Sequence, residues 1–178
     1  MAVLKIITYP DPRLQQKSRP VEKWDKELCK LIEDMEHTLN AAPGLGLAAV
    51  QVGVSLQVFL YDENAGGGES TKNYTAMINP EIISQEGEIK EEEGCLSIPD
   101  YRDTVVRAAV VRVKGFNKEG EPVEVMGEGL LARVFQHEID HVNGVLFIER
   151  LSSLKRSLFL RRMKKLQRQA KAELAEKV

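Results

Sequence analysis

Apolar positions recur at helical spacing near both ends of the chain and alternate with polar ones through much of its middle. Over residues 23–40, Trp24, Leu28, Leu31, Ile32, Met35 and Leu39 form one stripe, which predicts an amphipathic helix. His37 sits about 180° from Leu28 on that helix, facing water. Cys29 borders the stripe as a small, half-buried apolar residue. Residues 56–61 and 74–78 read as strands, the second ended by Asn79-Pro80. Gly66-Gly67-Gly68 marks a loop tip. Residues 104–116 read as one long, valine-rich strand, and 122–126 pair with it through the turn Asn117-Lys118-Glu119-Gly120. From Ser152 a last helix begins, capped by Ser152 or Ser153, with Phe159, Met163, Leu166, Ala170 and Leu174 on one stripe. Strands first, then one central helix, with helices at both ends, predict an α+β domain of antiparallel or mixed sheets. Residues 1–151 form its body and 152–178 a basic helix appended to it.

Composition narrows the class. Apolar residues make up 43% of the 178, ample for a core. Two cysteines are no disulfide framework and suit a reducing compartment. No signal peptide or membrane span is legible, so a cytoplasmic protein is expected. The net charge of −2 excludes a general attraction to nucleic acid. The charge is uneven, however: residues 152–178 hold nine Lys or Arg against two Glu, a local +7 that leaves −9 on the rest. That cationic helix either packs one face on the domain or docks on RNA or an acidic surface.

The chemistry concentrates in His137-Glu138-Ile139-Asp140-His141. Positions i and i+4 of a helix share a face, so both imidazoles can reach one ion. Glu138, about 100° round, reaches a water on that ion from the side. This HExxH pattern predicts metal-assisted hydrolysis. Apolar residues on both flanks predict that its helix is buried, where two histidines without partners would be costly. A catalytic ion also takes a third protein ligand, from Cys, His, Asp or Glu.

Two other segments stand out. Residues 43–53, rich in glycine and alanine, read either as a tight apolar turn or as the backbone wall of a cleft, with Gln51 as its one polar side chain. Cys95, beside Gly94 and outside any apolar stripe, is either a strong ligand for a borderline-soft ion or an ordinary buried thiol.

Taken in order, three segments resemble the peptide deformylase family: Gly44-Leu45-Gly46-Leu47-Ala48-Ala49-Val50-Gln51, Glu93-Gly94-Cys95-Leu96-Ser97, and Gln136-His137-Glu138-Ile139-Asp140-His141. The resemblance runs from about residue 6 to residue 154. It implies removal of the formyl group from N-formylmethionine on nascent chains, with release of formate. It implies Cys95, His137 and His141 as metal ligands and Glu138 as the acid/base. Gln51 and the Leu96 N–H would stabilise the oxyanion, and the backbone at Gly46 would line the cleft. The implied cofactor is one divalent ion, natively Fe(II), with Zn, Ni or Co able to replace it. The implied partners are formylated nascent peptides and, through the basic helix, the ribosome, with no membrane and no sequence-specific nucleic acid. Leu45, Leu130, Val134 and Phe135 are candidates for the methionine pocket. Val50 stands where the family usually has proline, and Arg133 where it often has an apolar pocket residue.

Two rival readings remain at this level. An HExxH peptidase would take its third ligand downstream, where Glu149 is the candidate. A metal-stabilised binding module would need a fourth protein ligand.

Overall fold

The alternation in Val58-Phe59-Leu60-Tyr61 organises the molecule, because both of its faces are buried. The computed structural model describes residues 2–66 and 72–176, so Gly67 and Gly68 of the expected loop tip lie outside the described residues. Seven strands are described: β1 (Gly46–Ala48), β2 (Val58–Asp62), β3 (Tyr74–Glu86), β4 (Ile89–Cys95), β5 (Ile98–Arg107), β6 (Val110–Phe116) and β7 (Pro122–Glu128). A five-stranded sheet has the order β1-β2-β3-β6-β7, and β4-β5 form a separate ribbon. Every strand pairing is antiparallel.

Helix α1 (Lys26–Asn40) covers one face of the larger sheet. There Leu28, Ile32, Met35 and Leu39 pack with Val58, Leu60 and Ile78. Helix α2 (Gly129–Val142) covers the other face, where Ala132, Val134, Phe135 and Ile139 meet Phe59, Tyr61 and Val113. The sheet is thus sandwiched, and α2, with the two histidines, runs through the centre. Each large side chain sealed this way contributes about 1.5–3 kcal/mol. A third cluster joins the β4-β5 ribbon to the C-terminal part through Ile98, Val105, Phe147 and Phe159.

Several boundaries differ from expectation. Helix α1 starts three residues late, because the Asp25 side chain accepts the Leu28 N–H at 3.0 Å and caps it there. Trp24 therefore leaves the stripe, packs edge-on against Phe116 and donates to the Asn117 carbonyl. Cys29 is exposed rather than half-buried, and His37 is half-buried rather than exposed. Strand β3 runs on past Asn79-Pro80. A register shift there tolerates the proline, and Asn79, at φ 51°, pairs through its side chain with both the N–H and the carbonyl of Val21.

The expected long strand 104–116 is two strands in two sheets. The Gln136 carboxamide accepts the Ala108 N–H and donates to the Ala108 carbonyl, both at 3.0 Å. A side chain of α2 thus takes the bonds that a neighbouring strand would have taken, and the chain changes sheet. Residues 122–126 pair with β6 as expected.

Helix α3 (Ser153–Glu176) begins at the expected serines. Phe159 on its stripe is buried, Met163 is half-buried and Leu166 is exposed. The side chains of Ala170 and Leu174 lie outside the described residues.

Candidate metal centre

Helix α2 places His137 and His141 one turn apart, with their Nε2 atoms 3.2 Å from each other. Cys95 arrives from the end of β4. A register shift between Gly94 and Cys95 turns its side chain inward, and Sγ lies 3.2 Å from His141 Nε2. All three donor atoms lie within 4.8 Å of one another. Glu149, the rival third ligand, instead accepts the Leu146 N–H of its own turn. Among the described residues no fourth His, Cys, Asp or Glu joins the three.

The imidazoles are held differently. His137 Nδ1 lies 2.6 Å from the Glu93 carboxylate, so a proton on Nδ1 leaves Nε2 free to face the cluster. Glu93 in turn accepts two hydrogen bonds from Arg107, at 2.7 and 3.1 Å. Arg107 donates to Asp140 at 2.6 Å, and Arg150 holds Asp140 from outside. Arg107 is almost wholly buried, which is tolerable only because two carboxylates meet it. Burial pushes the Glu93 pKa up. Hydrogen bonds from His137 and Arg107 outweigh it and hold the carboxyl at about 2. Burial alone would lower His137, but the adjoining Cys95 and Glu93 raise it well above its ordinary value. Burial, reinforced by His137, holds His141 well below, as a neutral ligand must be.

Glu138 is buried as well, beside the two histidines. Burial raises its pKa to about 7, and its Oε2 has no hydrogen-bond partner. Gly46 makes room for it: a Cβ there would lie 2.5 Å from Glu138 Oε1. Gln51, also buried, donates to Ser97 Oγ and lies 3.6 Å from Cys95 Sγ.

These groups open onto one cavity of about 940 Å³. Leu45, Gly46, Gln51, Leu96, Leu130 and Val134 line it. Phe135 does not. Two residues before His137, it points about 200° away round α2 and meets Tyr61 edge to face, with ring centroids 4.8 Å apart. Arg133 lines the cavity with its head drawn aside to Glu91 and the Glu92 carbonyl. Its stem is left to form wall. Val50 is buried in the short 3-10 turn that carries Gln51.

The donor set fits a divalent ion. One thiol and two imidazoles converge, and an unpartnered carboxyl oxygen sits on the residue next to His137. Residues 3–157 match the family model described as polypeptide deformylase. The chain belongs to the polypeptide deformylase family. It is 50% identical to a peptide deformylase of Acidobacterium capsulatum over 94% of this chain and 98% of that one. The crystal structure of a peptide deformylase from Legionella pneumophila superposes with a TM-score of 0.84 at 47% identity, covering 95% of this chain and 98% of that chain. A deformylase from Ehrlichia chaffeensis, in complex with actinonin, gives 0.84 at 42%, covering 94% of this chain and 99% of that one. Deformylases are metal-dependent enzymes that remove the formyl group from N-formylmethionyl peptides, and the α+β architecture here is theirs.

Sequence reading did not single out Glu93, Arg107, Asp140 or Ser97 for the site. One signal was available: an acid between two histidines of a buried helix, as Asp140 is, needs a buried cation.

Proposed function

We propose that the chain acts as a hydrolase on N-formylmethionyl ends of nascent polypeptides, with Cys95, His137 and His141 holding one divalent ion. The observation that carries this reading is the convergence of these three donor atoms beside Glu138, whose Oε2 has no hydrogen-bond partner. When bound, such an ion supplies Lewis acidity that activates water and polarises a carbonyl.

The protein's own groups do the rest. Glu138, with a pKa near 7 before any ion binds, takes a proton from the attacking water and returns it to the leaving amine. Formate and a free N-terminus result. The Gln51 carboxamide N–H and the Leu96 backbone N–H meet the charge that grows on the formyl oxygen. One such donor is typically worth about 3–4 kcal/mol in other hydrolases. Leu45, Leu130, Val134 and the Arg133 stem hold the methionine side chain, and Gly46 offers backbone to the peptide. Phe135 is left out of the pocket and serves the core.

Iron(II) is the proposed physiological ion, with Zn, Ni or Co able to occupy the same ligands. Residues 1–151 carry the catalysis. The +7 segment 152–178 supports contact with the ribosome by attraction to RNA phosphates. No helix among the described residues is long and apolar enough to cross a membrane, and two unpaired cysteines support a cytoplasmic location.

Formate release from formyl-Met-Ala-Ser tests this reading, with unformylated Met-Ala-Ser left intact. Cleavage of the Met–Ala bond instead would overturn it in favour of a peptidase.

A further inference from the structure

The Gln51 carboxamide is held at both of its ends. Its Oε1 accepts the Ala48 backbone N–H at 2.8 Å. That bond sets which end of the amide is nitrogen, since a flipped group would oppose donor to donor. Its Nε2 donates to Ser97 Oγ at 3.2 Å and lies 3.6 Å from Cys95 Sγ. The amide is planar, so once Oε1 and one N–H are held, the second N–H has one direction. It points at the Cys95 sulfur, where the three ligand atoms converge.

Ser97 is wholly buried and stands behind the cavity wall, while Gln51 and Cys95 line it. The main chain of the pair is anchored independently. The Ile7 N–H donates to the Gln51 carbonyl and the Tyr9 N–H to the Ser97 carbonyl, each at 2.8 Å. Removing the Ser97 hydroxyl therefore frees the amide without releasing the backbone that carries it.

We infer that Ser97 is a positioning residue for deformylation: its hydroxyl oxygen takes one N–H of Gln51 and so aims the other at the substrate carbonyl beside Cys95. This inference rests on the oxyanion role proposed above for Gln51. In the resting site the aimed N–H lies on the Cys95 sulfur. When a formyl group enters, the same N–H turns to its oxygen with little reorganisation.

The test is a double-mutant cycle on cobalt-loaded, full-length protein: parent, Ser97→Ala, Gln51→Ala and the double variant. The readouts are kcat and KM on a formyl-Met peptide and the sulfur-to-cobalt absorption band. Ser97→Ala should lower kcat about tenfold, with KM within about twofold, the pattern of a lost transition-state contact. It should cost nothing further in the Gln51→Ala background. Both single variants should shift the absorption band in the same direction, because each disturbs the donor on the Cys95 sulfur. Additive losses, an unshifted band, or full kcat in Ser97→Ala beside a slowed Gln51→Ala would overturn the inference. Full kcat in Gln51→Ala would instead remove the role of Gln51 on which it stands. If Ser97→Ala does not fold, Ser97→Thr keeps the acceptor oxygen and should retain both the band and kcat. A loss there equal to that of Gln51→Ala would overturn the inference as well.

Discussion

Glu93 Oε1 lies 2.6 Å from His137 Nδ1, and the same carboxylate is gripped twice by the buried Arg107. One side chain thus orients an imidazole of the three-donor cluster and neutralises a buried cation. Replacing it tests both roles. Glu93→Gln should lower affinity for the ion by about 10–100-fold. It should also destabilise the fold by about 3–5 kcal/mol, because Arg107 keeps only Asp140. Titration against a competing chelator and denaturant unfolding measure the two effects. Parental values for both would contradict the arrangement.

Acid should reveal the same carboxylate. The Glu93 pKa is held at about 2 in the folded chain, against an ordinary value of 4.5. Between those values the unfolded chain binds the proton and the folded chain does not, so stability rises with pH across the window. The Glu93 contribution is complete above about pH 4.5 and is lost as pH falls through about 2. In metal-free protein, unfolding free energy should therefore drop more steeply from pH 4.5 towards 2 in the parent than in Glu93→Gln. Parallel profiles would show that the pair contributes nothing.

Gly46 and Glu138 share one space. Gly46→Ala would drive a methyl to 2.5 Å from Glu138 Oε1, so the carboxylate must move. Deformylation should slow by about 10²–10⁴-fold, the value of a placed acid/base group. Metal content should stay at the parental level, because no ligand is touched. Metal loss together with activity would mean that the clash reaches the ligands.

Helix α3 can be tested separately. Replacing the exposed Lys164, Lys165 and Arg168 with alanine removes three of the segment's seven net positive charges while sparing Phe159, which buries the helix against Tyr101 and Tyr9. Ribosome association at moderate salt should weaken, and turnover of short formyl peptides should hold. Unchanged association would remove the proposed contact.

What could be read from the sequence was local, and what could not was set by partners distant in the chain. His137, Glu138 and His141 follow from helical period alone. Cys95 needed its surrounding segment, because a lone thiol beside a glycine has no periodic signature. Strand β4 gave no strand signal, since Glu91-Glu92-Glu93 reads as a solvated charge run. In the fold each of these glutamates has its own arginine: Arg133, Arg102 and Arg107 in turn. The break at Ala108 was equally hidden, because alanines continue the apolar pattern of the strand and the interruption comes from Gln136, 28 residues on. Phe135 was assigned to the pocket by nearness to His137 along the chain, whereas direction round the helix decides it.

The most direct measurement is formate release by anaerobically purified, metal-replete protein, run beside Cys95→Ser and a chelated sample. Rapid release by the parent, abolished by chelation and by loss of the thiolate, is the predicted result. Full activity in Cys95→Ser, or after the ion is removed, would contradict a metal centre built from Cys95, His137 and His141.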